Sequence, residues 1–345
     1  MVRVIAAICF VLWGAATGTM AADRAIIDTH AHIELQSLTG AAIEATVERM
    51  RKFGITHTIL MSPPRPPGSR FGYEADDLRG LTDRYAGRFS VAGGGGGLNA
   101  HIGDANPQSV TDADRGRFRE RAQALARNNG IVAFGELTVS HLSLRGMGEQ
   151  HAYQASPPDH PLMLVLADVA AALKLPIDLH IDLVPEDMDL PKFPNLNPSN
   201  PARLQGNQAA FERLLAYNRD AKIIWAHAGN DPLRTRNPQV QRGLLERHPN
   251  LYMSVRLTVG APPPSFALDG ELKLKPFWLE LFKAFPERFV LGSDVFHGVG
   301  VQRGPQEGAL ANFRILLDQL PPELADNIAY RNAQRLFNLP ALPAN

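Results

Sequence analysis

Cysteine is nearly absent from this chain: Cys9 is the only one in 345 residues. It lies within an apolar N-terminal stretch, so a chain trimmed behind that stretch carries none. Disulfides, thiolate metal ligands and a cysteine nucleophile are then excluded together. Long hydrophobic runs are lacking too. Val4 to Trp13 is an apolar run of about ten residues, too short to span a bilayer. Charge imbalance is also missing, with 35 basic and 35 acidic residues and no basic block. That balance speaks against a polynucleotide partner. No internal repeat is apparent.

The N-terminus has the layout of an export signal. Arg3 supplies a short positive region, the apolar run follows, and Thr19-Met20-Ala21-Ala22 forms a small-residue exit. Cleavage is expected near Ala21 or Ala22. This makes residues 1–22 a signal peptide and 23–345 a single domain of an exported, periplasmic or secreted protein with no stable membrane anchor. No small-residue pattern directly precedes Cys9, which argues against a lipid-modified cysteine.

From Ala25 onward, strand-like and helix-like segments alternate, the pattern of a parallel sheet. Candidate strands are 26–33, 56–62, 89–93, 131–138, 177–183, 222–228, 251–257 and 289–294. Helical patterns cover 41–52, 112–129 ending at Gly130, 162–175 ending before Pro176, 207–220 and 308–320. A last helix over 323–337 is placed to close the base. Eight strands with interleaved helices predict an α/β fold, a (β/α)8 TIM barrel, rather than an open doubly wound sheet. Polar residues at the ends of many strands favour the barrel. Long segments follow strands: Pro63 to Gly68, the five glycines Gly93 to Gly97, Ser140 to Asp159, Val184 to Gly206, and Val259 to Lys275 with Pro262-Pro263-Pro264. In such barrels function sits at that rim, and the prolines predict a shaped lid.

Five of the apolar stretches end in a metal-ligand type of side chain. The first is Ile26-Ile27-Asp28-Thr29-His30-Ala31-His32, and the later ones end at Glu136, His180, His227 and Asp294. A strand has a side-chain period of two, so His30 and His32 share a face. Asp28 shares it too and is expected to orient a histidine. Along strand 5, Ile177, Leu179 and Ile181 alternate with Asp178, His180 and Asp182, which sends the polar set inward. Singly, each residue has a plain alternative: a solvated glutamate, a hydrogen-bonded core histidine, a helix-capping aspartate. Together, buried ionisable groups at five strand ends need a partner, and a divalent cation supplies one.

In strand 7, Leu251, Met253, Val255 and Leu257 should face outward, and Tyr252, Ser254, Arg256 and Thr258 inward. Arg256 then holds an anionic substrate group or pairs with a site carboxylate. His297 is a candidate substrate contact. His57 and His248 read as structural, and His101, His141, His151 and His160 lie on rim loops without a ranking.

This ordered set resembles the amidohydrolase superfamily, specifically its amidohydrolase-related branch. It rests on Ile27-Asp28-Thr29-His30-Ala31-His32, on His180, His227 and Asp294 in that order, and on Asn332-Ala333-Gln334-Arg335-Leu336-Phe337. The resemblance implies a metal-dependent barrel enzyme, with His30, His32, His180 and Asp294 holding a divalent metal and His227 serving as a further ligand or catalytic group. Many two-metal members carry a carboxylated lysine at the end of strand 4. This chain has none there; Gly135-Glu136 instead looks like the glycine-glutamate pair of TatD-like hydrolases, which makes Glu136 a ligand and leaves one or two ions open. Imidazole-rich ligation favours zinc.

The implied chemistry is hydrolysis of an ester, lactone, amide or related bond of a small molecule by metal-activated water, with Asp294 taking the proton. A decarboxylase using the same ligands, with Arg256 on a carboxylate, is the alternative. A non-catalytic binding barrel and a nuclease complete the set. Oligomeric state is left open.

Overall fold

The computed structural model describes residues 24–34, 38–69, 72–145, 151–228, 230–257, 265–298 and 307–341. The expected signal segment with Cys9, Thr258 and the prolines 262–264 lie outside the described residues.

Eight strands carry the architecture: β1 (Ile26–Ile33), β2 (Ile55–Met61), β3 (Phe89–Gly94), β4 (Ala133–His141), β5 (Ile177–Ile181), β6 (Ile223–Ala228), β7 (Leu251–Val255) and β8 (Phe289–Leu291). Each pairs in parallel with its successor. Asp28 of β1 lies in register with Leu291 of β8, which closes the sheet into the anticipated (β/α)8 barrel. Among the described residues no helix is long and apolar enough to cross a membrane.

Two of the strand limits that differ from the sequence reading bear on the site. β4 continues to His141 because Gln154–Ala155 turns back and pairs antiparallel with its end. Glu136 therefore sits inside the strand, not at its tip. β8 stops at Leu291, and the chain resumes pairing with β1 only at Val295–His297. Asp294 thus stands in the break between the two.

The barrel has two apolar layers. Strand residues such as Ile177, Leu179 and Ile181 pack outward against the helices in one large core. Inside the base, Ile27, Ile59, Met61, Ala92, Ala133, Ile224 and Val290 meet Ala333, Leu336 and Phe337. The register of β1 against β2 shifts between Asp28 and Ala31. That irregularity lets Ile27 face the interior below while His30 and His32, an odd number of residues on, face it above.

The expected helices appear as α1 (Gly40–Lys52), α4 (Asp112–Asn129), α5 (Pro161–Leu173), α6 (Gln208–Tyr217) and α9 (Glu307–Leu317). Gly130 caps α4 in the left-handed region, and Thr111 and Asp114 form a capping box at its start. Four helices escape the sequence pattern: α2 (Ala75–Arg84), α3 (Leu98–Asp104), α7 (Pro238–Arg247) and α8 (Pro276–Ala284). α7 and α8 begin with proline at the first helical position, where it is tolerated and not a loop mark. α3 starts straight after the glycine run. The helix expected over 323–337 is α10 (Pro322–Asp326), a π-turn and α11 (Asn332–Phe337), whose residues plug the barrel base.

Candidate metal centre

The two histidines of β1 are fixed by their Nδ1 atoms. His32 Nδ1 lies 2.8 Å from the carbonyl of Met61, and a carbonyl only accepts, so this nitrogen carries the proton. His30 Nδ1 lies 3.1 Å from Asp178 Oδ1. Both rings thereby present their Nε2 atoms to the barrel axis. Asp28 does not orient either ring. Its carboxylate accepts from Ser293 N at 2.9 Å and Ser293 Oγ at 2.6 Å, and so ties β1 to the chain just before Asp294. Asp178 of β5 does the orienting that sequence reading gave to Asp28.

Glu136 stands among four imidazoles. Its Oε2 faces His30 Nε2 at 3.5 Å and His32 Nε2 at 3.4 Å. Its Oε1 lies 3.1 Å from both His180 Nδ1 and His227 Nε2. Gly135 makes this possible, since a Cβ there would come within 2.7 Å of Asp178 Cβ.

Asp294 completes the ring of six. Its Oδ1 is 3.2 Å from His32 Nε2 and 3.9 Å from His30 Nε2, while Oδ2 pairs with Arg256 Nη1 at 2.8 Å. Asp294 N donates to the His30 carbonyl at 2.8 Å. Asp294 and His227 both occupy the left-handed backbone region, with φ of 54° and 60°. Each such conformation costs a non-glycine residue about 1–2 kcal/mol, and its occurrence at two site positions means the surroundings impose it.

Three overlapping triads of ligand atoms lie within 4.8 Å: His30, His32 and Glu136; His30, His227 and Asp294; Glu136, His180 and His227. The donor chemistry fits a divalent cation. With Nδ1 of His30 and His32 spent on acceptors, the neutral rings aim Nε2 lone pairs at carboxylate oxygens. Lone pair against carboxylate is repulsive unless positive charge lies between them. Burial opposes a second proton on His30, yet Asp178 and Glu136 push its pKa well above the ordinary value. Burial opposes it on His32 as well, and Asp294 and Glu136 still raise that pKa. The field that draws a proton there draws a metal ion for the same reason. His30 Nε2, His180 Nε2 and His227 Nδ1 are buried without a hydrogen-bond partner, which is uncommon for polar atoms in a protein interior.

Glu136 and Asp294 favour the ionised form. Burial would raise the Glu136 pKa, but His30 and hydrogen bonds from His180 and His227 hold it well below the usual range. Burial is likewise outweighed at Asp294, by Arg256, His227 and His32. His227 goes the other way: burial lowers it to about 3, against Asp294 and Glu136, so it is neutral.

The remaining histidines divide by position. His57 bonds the Gly87 carbonyl and Ser90 Oγ, away from the site, and His248 contacts Glu212 at the end of α7; both are structural, as read. His160 caps α5 and contacts the Ala105 carbonyl, and His101 packs on Phe118. His141 and His151 continue the imidazole chain, with ring centroids 4.8 Å from His141 to His180 and 4.1 Å from His141 to His151. His297 is buried beside β1 with Nδ1 3.4 Å from Arg49 Nη1. Residues given no site role from sequence also matter. Asp182 Oδ1 lies 3.5 Å from His180 Nε2 and 3.1 Å from Arg236 Nη2. The Asp178-His180-Asp182 alternation was the signal for both aspartates; Arg236 has no periodic signal.

Residues 27–339 match the family model described as Amidohydrolase. The chain belongs to the amidohydrolase family, and it is an enzyme of that superfamily. No curated protein matches it by sequence. Among solved structures, 2,6-dihydroxybenzoate decarboxylase complexed with 2,6-dihydroxybenzoate is 16% identical, covering 92% of this chain and 99% of that one, with a TM-score of 0.49. An amidohydrolase 2 from Bifidobacterium longum subsp. infantis is 14% identical over 91% of this chain and 99% of that one, with a TM-score of 0.46. A TatD homolog from Escherichia coli K12 is 16% identical over 91% and 98%, with a TM-score of 0.47.

Proposed function

We propose that this amidohydrolase is a metal-dependent hydrolase acting on an ester, lactone, amide or related bond of a small molecule. The observation that supports this most is the placement of Glu136, with one oxygen toward His30 and His32 and the other toward His180 and His227. In this reading His30, His32, Glu136, His180, His227 and Asp294 would hold one or two divalent ions. Imidazole and carboxylate donors suit zinc, with manganese or iron as substitutes. An ion so held supplies Lewis acidity that polarises the scissile bond and lowers the pKa of water toward neutrality.

The chain's own groups do the rest. Asp294, kept ionised beside Arg256, accepts the proton of the attacking water and returns it to the leaving group. His227 is neutral, so it is available as a ligand or as a hydrogen-bonding group toward the carbonyl oxygen. Arg256 spends Nη1 on Asp294 and keeps a buried Nε without a partner, which suits an anionic or carbonyl group of the substrate. His297, with its Nε2 also unpartnered, is the second proposed substrate contact. The same Arg256 geometry favours one other reading, a decarboxylase in which it grips the departing carboxylate. The N-terminal pattern adds export through a cleaved signal peptide.

The test is a panel of lactones, esters, amides and phosphoesters assayed with and without chelator. Chelator-sensitive hydrolysis supports the reading. Release of carbon dioxide from small carboxylic acids, without hydrolysis of any panel member, replaces it with the decarboxylase.

A further inference from the structure

Arg236 is the least expected charge in the molecule. It lies in the segment between β6 and α7 and is almost wholly buried, at 1% exposure. Its guanidinium stacks over Trp225, 5.1 Å from the ring centroid. Nη1 donates to the carbonyls of Ala226 and His227 at 3.3 and 3.2 Å. Nη2 donates to the Ile181 carbonyl and to Asp182 Oδ1. One cation therefore gathers the ends of β5 and β6, the two strands that deliver His180 and His227. Its own loop is held in turn: Asp231 accepts from Thr235 N and Arg236 N, and Gln241 donates to the Arg236 carbonyl.

Asp182 links this cation to the site. Oδ1 is shared between Arg236 and the face of His180, and Oδ2 accepts from Leu142 N at 2.8 Å beyond β4. His180 meets carboxylates on both edges, Asp182 at Nε2 and Glu136 at Nδ1.

We propose that Arg236 and Asp182 are positioning residues of the metal centre, with Arg236 fixing both the Asp182 carboxylate beside His180 and the left-handed backbone of His227. This rests on the metal-dependent reading above and adds the buried charge that supports its His180 and His227 side. Removing such a support costs a metal site about 10–100-fold in affinity.

The experiment uses the full-length protein loaded with zinc. Zinc retention is measured by chelator competition on wild type, Asp182→Asn, Arg236→Met and Arg236→Lys. The expected result is zinc bound at least about tenfold more weakly in Asp182→Asn and Arg236→Met. Arg236→Lys keeps the charge and should recover part of that loss. A merely structural arginine would lower the unfolding temperature and leave zinc affinity of the folded protein unchanged, and this outcome overturns the proposal. If Arg236→Met does not fold, the nearly isosteric Asp182→Asn decides alone. Wild-type protein that takes up no zinc overturns the metal reading and this proposal together, whereas tight zinc in wild type and Asp182→Asn alike overturns only this one.

Discussion

The same eight strands build two different interiors. At the base they supply Ile27, Ile59, Ala133, Ile224 and Val290, closed by Leu336 and Phe337 of the terminal helix. A few residues further along, β1, β4, β5 and β6 supply His30, His32, Glu136, His180 and His227. The base is held by apolar burial, which needs no orientation. The rim is held by directional contacts that cost stability: buried carboxylates, unpartnered imidazole nitrogens and two left-handed backbones. Stability is concentrated below and chemistry above, so substitutions in the two layers should separate the two properties.

The largest effect is expected at the rim. Asp294→Asn should lower turnover on the order of 10³-fold, the scale of lost general acid–base catalysis. Its thermal unfolding should change little, because Arg256 retains solvent contact. A matching loss of stability would show that the layers are not separable. Phe337→Ala at the base should do the opposite. It should cost about 3–5 kcal/mol in denaturant unfolding, with turnover per folded molecule unchanged at low temperature. Gly292→Ala sharpens the boundary between the layers. A Cβ there would meet Ser254 Oγ at 2.0 Å and His30 Cβ at 2.8 Å. It should therefore cost about 1–3 kcal/mol from overpacking and also weaken metal retention by displacing His30. Stability loss with wild-type metal affinity would mean that His30 is not tightly placed.

The smallest effect lies outside both layers. Burial raises the Glu212 carboxyl, but hydrogen bonds from Arg247, Gln208 and His248 bring it down to about 2. A depressed folded-state pKa stabilises above the unfolded value of 4.5, and the gain is lost as pH falls toward about 2. Glu212→Gln should cost about 1 kcal/mol near neutrality and flatten the acid limb of the stability profile between those values. Turnover should not change.

The base was easier to read from sequence than the rim. Period-two apolar strands and the terminal segment from Asn332 to Phe337 announce a closed barrel because burial leaves a composition signal. The ligand residues were readable as polar side chains ending apolar strands. Their supports were not. Asp28 and Asp178 are both aspartates two residues before a histidine, and alternation cannot say which one meets a ring. The irregular register of β1 and the strand break before Asp294 decide that Asp28 serves Ser293 and Asp178 serves His30. Arg236 was invisible for another reason. It is an arginine in a polar turn, and only the closure of β5 onto β6 buries it. The helices α7 and α8 were hidden by prolines that start them.

The central proposal is that the six rim residues would hold divalent metal. Elemental analysis of the purified, chelator-untreated chain tests it most directly. The account predicts divalent metal bound to the wild-type chain, reduced in Glu136→Gln. Protein that is active and contains no divalent metal would contradict it.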